Sequence, residues 1–150
     1  MARSSVSKQN VALGVVRMIV GLVFVLHGAQ KLFVYHYAGV VALFHQIGIP
    51  APALSAALAI AAELGGGLLL LTGLYTRLAA VPVAFTMLVA ITQVHLHAGF
   101  FAQNGGFEYP LTMLVVNLAL IIGGGGAFAL DNLRARQQLE SYSVATAKAA

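Results

Sequence analysis

Cysteine is absent, which excludes a disulfide, a thiolate nucleophile and any zinc or iron–sulfur centre held by thiolates. Charge is nearly absent too. Eight Lys/Arg and four Asp/Glu amount to 8% of the 150 residues, against about 25% in an ordinary soluble domain. So few charged groups cannot clothe a water-soluble globule of this size. The positive residues do not gather on one solvated face, which sets nucleic acid aside as a partner. Soluble-enzyme motifs are missing as well. Gly65–Gly67 and Gly123–Gly126 lie inside apolar runs rather than in a phosphate-cradling loop after a strand, and there is no nucleophile elbow. No metal-ligating cluster is expected.

What is there is apolar sequence, 60% of the chain, and lipid is the solvent that accommodates it. A span needs about 20 apolar residues, so four spans take about 80 and leave only short loops and two tails. The reading is an all-α integral membrane bundle of four transmembrane helices within residues 11–131, with spans at about 11–31, 53–71, 78–97 and 110–130. A polar tail, 1–10, precedes it and another, 132–150, follows. The first run resembles a signal peptide, but Arg17 interrupts its apolar core and three more spans follow, so it is expected to stay uncleaved.

The connections differ in character. Phe33–Pro50 carries Tyr35, His36, Tyr37 and His45, suited to a membrane–water interface, and Val40–Phe44 is a candidate interfacial helix. Thr72–Arg77 is short enough to make spans two and three a hairpin, and Gly99–Tyr109 is rich in turn residues. Small residues in spans two and four suit close helix packing. Arg3, Lys8, Arg77, Arg134, Arg136 and Lys148 fall on one side and Lys31 alone on the other, which predicts cytoplasmic N and C termini.

Depth follows from the helical rise. Arg17 computes to about 10 Å and Glu63 to about 13 Å from the cytoplasmic boundary. An unpaired charge there costs about 3 kcal/mol or more, so an Arg17–Glu63 ion pair is expected inside the bundle. His27 and His95 both compute to about 25 Å. With Lys31, Gln93 and Glu108, and Tyr109 beside it, they form a candidate polar site at the outer face. On span three the stripe Pro82, Thr86, Gln93 favours His97 over His95, whereas depth favours His95; periodicity leaves the choice open.

Five motifs fall in order: Arg17-x-x-x-Gly21 with His27-Gly28-x-x-Lys31; Glu63-x-x-Gly66-Gly67 running into Leu71-Thr72-Gly73-Leu74-x-Thr76-Arg77; His95-Leu96-x-x-Gly99-Phe100-Phe101; Gly105-Gly106-Phe107-Glu108-Tyr109-Pro110; and a glycine run into Leu130-Asp131. The pattern, over about residues 10–133, resembles the DoxX family of small bacterial membrane proteins. The resemblance implies a four-helix inner-membrane protein, an oxidoreductase or the membrane subunit of one, with relatives near quinone-handling enzymes, including a small subunit of thiosulfate–quinone oxidoreductase. It carries over Arg17, His27, Lys31, Glu63, Arg77, His95, Glu108 and Asp131, siding with His95. The family usually closes with Gly-Pro/Ala-Gly-Arg-x-Ser-Leu-Asp. This chain has Gly124-Gly125-Gly126-Ala127-Phe128-Ala129-Leu130-Asp131, lacking the basic residue and the serine.

The expected function is therefore a small inner-membrane subunit of, or accessory to, a quinone-linked oxidoreductase, with quinone and other oxidoreductase subunits as partners besides the bilayer. Haem would need His27 and His95 as axial ligands, has nothing else in its favour, and ranks below quinone. The alternative is a non-catalytic scaffold or small-solute transporter, for which buried Arg17, Glu63 and Asn117 could supply polar lining.

Overall fold

The computed structural model describes residues 7–135 and 137. Arg3, Arg136 and Lys148, three of the charges used for orientation, lie outside the described residues. Among the described residues every regular element is helical. Three helices are long and apolar enough to cross a membrane: α1 (Lys8–Val34), α3 (Pro52–Thr72) and α4 (Thr76–Ala98). α2 (His36–Gln46) enlarges the short helix predicted at Val40–Phe44. α5 (Glu108–Gly123) is apolar but only 16 residues long.

Local chemistry sets the boundaries. The Ser7 hydroxyl accepts from the Asn10 backbone N–H (3.3 Å) and caps α1. Pro52 opens α3 where its missing N–H costs nothing. Gly73 closes α3 in the left-handed region (φ 72°), donating to Leu70 O, while Leu74 N–H reaches Leu69 O. The fourth predicted span was to run to about Leu130, but α5 stops at Gly123. Gly124 (φ 79°) adopts a backbone that L side chains avoid, and the chain turns back.

That returning segment closes the proximal end of the bundle, the end that holds the α3–α4 turn. Ala127 N–H donates to Asn10 O of α1 (2.6 Å) and Asp131 N–H to Gly73 O (3.0 Å). The Asp131 carboxylate accepts from the Tyr75 and Thr76 N–H groups (2.8 and 3.0 Å) at the start of α4. Above this seal, Val20, Phe24, Leu70, Ala80, Val83 and Leu120 form the core. A smaller cluster of Val40, Ala56 and Ile60 fastens α2 to α3 at the distal end.

The outer faces are apolar. Only 33%, 33% and 28% of the most apolar stretches of α1, α3 and α4 are buried, and Ile19, Leu78 and Ile122 are 58%, 71% and 78% exposed. Such surfaces are untenable in water and ordinary in hydrocarbon.

The register between α1 and α3 is set by glycine. Gly21 lies against Gly67 and Leu71, and a Cβ added at Gly28 would come within 2.5 Å of Leu64 N. This antiparallel register places Glu63 across from Gly28 and Arg17 beside Leu70, Leu71 and Gly73. The expected Arg17–Glu63 pair therefore does not form, because the two residues sit roughly 16 Å apart along the bundle axis. The depth argument had given each span a common boundary plane, whereas α1 extends well below the α3–α4 turn and packs there on the glycine-rich return. Fully buried Arg17 is satisfied by carbonyls instead. Nε donates to Gly125 O (2.8 Å), Nη1 to Leu70 O (2.5 Å) and Leu71 O (2.9 Å), and Nη2 to Ala127 O (3.4 Å).

Candidate functional site

Each long helix leaves regular α winding in its middle or distal part. π-helical turns occupy Gln30–Val34 in α1, Ala61–Gly65 in α3 and Ala90–His95 in α4. A π turn inserts a residue into a helix; it is rare and frequently found at functional sites. The three turns carry Lys31, Glu63, and Gln93 with His95. All four side chains, with His27 and Tyr109, line one cavity of about 950 Å³.

Lys31 Nζ donates to Glu63 Oε2 at 2.5 Å, the one salt bridge among the described residues. The carboxylate is almost wholly buried and the ammonium only partly so. The reach is local: Lys31 stands about one turn beyond Gly28, which packs against Leu64, the residue after Glu63. Glu63 thus finds its counter-charge on α1 as expected, from a different cation.

The imidazoles are oriented by backbone. His27 Nδ1 bonds Val23 O (2.9 Å) and His95 Nδ1 bonds Gly105 O (2.6 Å). A carbonyl can only accept, so each neutral ring carries its proton on Nδ1 and keeps a lone pair on Nε2. Tyr109 stacks on His27, ring centroids 6.0 Å apart at 21°. The remaining walls are mainly apolar, with Phe44, Ile49, Leu58 and Phe85 among them. The site can thus offer two imidazole acceptors, an ammonium donor, a carboxylate and a phenol to a flat apolar molecule. Among the described residues no three His, Asp or Glu are grouped to hold a metal ion.

Of the sequence-predicted outer residues, His27, Lys31, Gln93 and His95 meet at this cavity. Glu108 does not line it. Its Oε2 accepts from Ala102 N–H (3.0 Å), pinning the loop that leads into α5, while its neighbour Tyr109 faces the cavity. His95 lines the cavity and exposed His97 does not; the regular 100° increment cannot be carried through the π turn at Ala90–His95. Glu63 joins this site rather than a deeper charge pair. Thr86, noted only as part of a stripe, also lines the wall. The π turns have no signal in the apolar sequence that forms them.

The DoxX family profile matches residues 12–96. A Mycobacterium tuberculosis protein named "Uncharacterized membrane protein Rv3486" is 36% identical over 126 residues, covering 77% of each chain. The Bacillus subtilis "Putative oxidoreductase CatD" is 37% identical over 115 residues, 77% of this chain and 81% of that one. An uncharacterized Haemophilus influenzae protein is 32% identical over 124 residues, 80% of this chain and 88% of its own. No solved structure matches the chain. With the helix lengths, the lipid-compatible faces and these relatives together, the chain is a multi-pass membrane protein that belongs to the DoxX family.

Proposed function

We propose that the chain is a four-span subunit of a quinone-linked oxidoreductase in the bacterial inner membrane, with cytoplasmic termini and a quinone site in the distal cavity. The observation that carries the proposal is the set of His27, Lys31, Glu63, Gln93, His95 and Tyr109 on the wall of one largely apolar cavity. Its volume lies within the usual range for small-molecule sites, about 300–1,000 Å³. The CatD name, printed for a 37% identical relative, supports the oxidoreductase part.

The polar groups suit a quinone ring. Quinone oxygens accept hydrogen bonds, which Lys31 can donate; hydroquinone hydroxyls donate, and the Nε2 lone pairs of His27 and His95 can accept. Oxidising a hydroquinone releases two protons and two electrons. The imidazoles and Glu63 take protons, and the electrons leave to a redox group on a partner subunit. The offset, nearly parallel rings of His27 and Tyr109 give the quinone ring flat neighbours.

Orientation rests on charge. Lys8, Arg77 and Arg134 are at or near the proximal end and Lys31 alone belongs to the distal half, so the proximal end faces the cytoplasm. α5 spans about 24 Å as a helix, and the return after Gly123, packed on α1, completes its crossing inside protein. A solute pore is the weaker reading, because the cavity ends proximally on Phe24 and the packed core around it.

The test is isolation of the chain with its native neighbours from the membrane, followed by quinone-dependent electron transfer. Activity should fall about tenfold or more in His27→Ala or Lys31→Met. Full activity in both variants would remove the site assignment, and solute uptake by liposomes containing the chain alone would favour the transporter.

A further inference from the structure

We infer that the ligand enters this cavity sideways from the bilayer, between α3 and α4, and that it carries a hydrocarbon tail which stays in that gap. The inference rests on the quinone reading and deepens it, from a ring site to a site for a membrane-borne, tailed quinone.

Three observations lead there. First, α3 and α4 are joined from their shared turn only as far as the middle of α3, at Ala61–Gly65. Leu70 packs with Ala79, Ala80 and Val83 in the core, and Gly66 abuts Val83. Farther out, the Pro52–Ile60 part of α3 leans away onto α2 through Ala56 and Ile60, and it makes at most marginal contact with α4. Pro82, lacking an N–H, cannot complete the helical bond to Leu78 O, and it lines the cavity. Leu58, Ala59 and Ala62 on one helix and Phe85 and Val89 on the other line the cavity.

Second, the other approaches are covered. α1 and Tyr109 of α5 supply the polar wall, and the turn Ile47–Pro50 lines the cavity at its distal end. Leu58 and Phe85, 60% and 62% exposed, stand at the lipid-facing rim.

Third, polarity is graded across the cavity. His27, Lys31 and its partner Glu63 lie on or near the α1 side, whereas the α3 and α4 walls are mostly hydrocarbon, with Thr86 midway and Ser55, Thr92, Gln93 and His95 toward the distal end. A tail moving from lipid into that gap exchanges one apolar setting for another at little cost, while the ring gains the hydrogen bonds. A small, water-borne solute would have no use for the gap.

The experiment uses the full chain reconstituted in liposomes and a decyl-benzoquinone with a photoreactive diazirine midway along its tail. The expected crosslinks fall within residues 58–62 and 82–89 and disappear with excess unmodified decyl-benzoquinone. Competed crosslinks confined to the Ile47–Pro50 turn or the loop before α5 would overturn the sideways route while leaving the quinone site standing. Labelling that excess quinone fails to compete anywhere would sink the site and the route together. A second measurement separates route from affinity. Ala62→Trp should slow binding of the tailed quinone about tenfold more than it slows binding of the tail-less ring. Ala57→Trp, on the exposed face of α3 away from the cavity, should change neither. Unaltered binding kinetics in Ala62→Trp would contradict the route.

Discussion

Two basic residues on one helix meet opposite fates. Arg17 is fully buried and shares four carbonyl oxygens among its nitrogens, a task suited to a planar, permanently charged fork. Removing it takes the guanidinium from the Leu71, Gly125 and Ala127 carbonyls in a fully buried setting, while Leu70 O keeps the Gly73 N–H. Arg17→Leu should destabilise the protein by about 3 kcal/mol, with Arg17→Lys recovering part of the loss, as read from thermal unfolding in detergent. Lys31 has one partner, Glu63, and is partly exposed at its end of the bundle. Glu63→Leu therefore leaves an ammonium that can snorkel toward the interface and should cost only about 1–2 kcal/mol. Double-mutant cycles distinguish the two geometries: Lys31 with Glu63 should couple by about 1 kcal/mol or more, and Arg17 with Glu63 by less than about 0.5. The reverse ranking would restore the deep ion pair.

Among the helices, the decisive contact is between α1 and α3, where Gly21 and Gly28 allow backbone against backbone. Gly28→Leu would drive its side chain into the Leu64 backbone and push the helices apart, moving Lys31 away from Glu63. Loss of about 3 kcal/mol, together with loss of quinone binding, is the expected outcome; a stable, ligand-binding Gly28→Leu protein would refute the register. This register explains what was legible beforehand. Long helices are legible in continuous apolar sequence, and His27, Lys31, Gln93 and His95, near the same helix ends, line one cavity. Glu63 was misassigned because hydropathy fixes where a span runs and not how far one span slides along another. The slide here depends on two glycines and on a return segment whose packing on α1 has no hydropathic signature. The π turns were invisible for a related reason: they arise from tertiary packing in sequence that reads as ordinary helix.

At the scale of the whole molecule, a proximal end packed on the return segment and an open distal cavity divide the protein into a close-packed half and a cavity-bearing half. Carbonyls around Arg17, the Asp131 cap and the close-packed core occupy the first; the ion pair, the imidazoles and the π turns occupy the second. The natural lack of cysteine makes topology directly measurable. In intact cells, Gln103→Cys in the distal loop should react with a membrane-impermeant maleimide, and Arg77→Cys at the proximal end only after the membrane is opened. The opposite pattern would invert the protein. Most direct of all is equilibrium binding of a tail-less benzoquinone to the purified chain. One ring per chain is expected, with affinity lowered about tenfold by His27→Ala and again by Lys31→Met, and unchanged by Glu108→Gln, whose carboxylate lies outside the cavity. Absence of saturable binding, or binding indifferent to His27 and Lys31, would contradict a quinone site in the distal half.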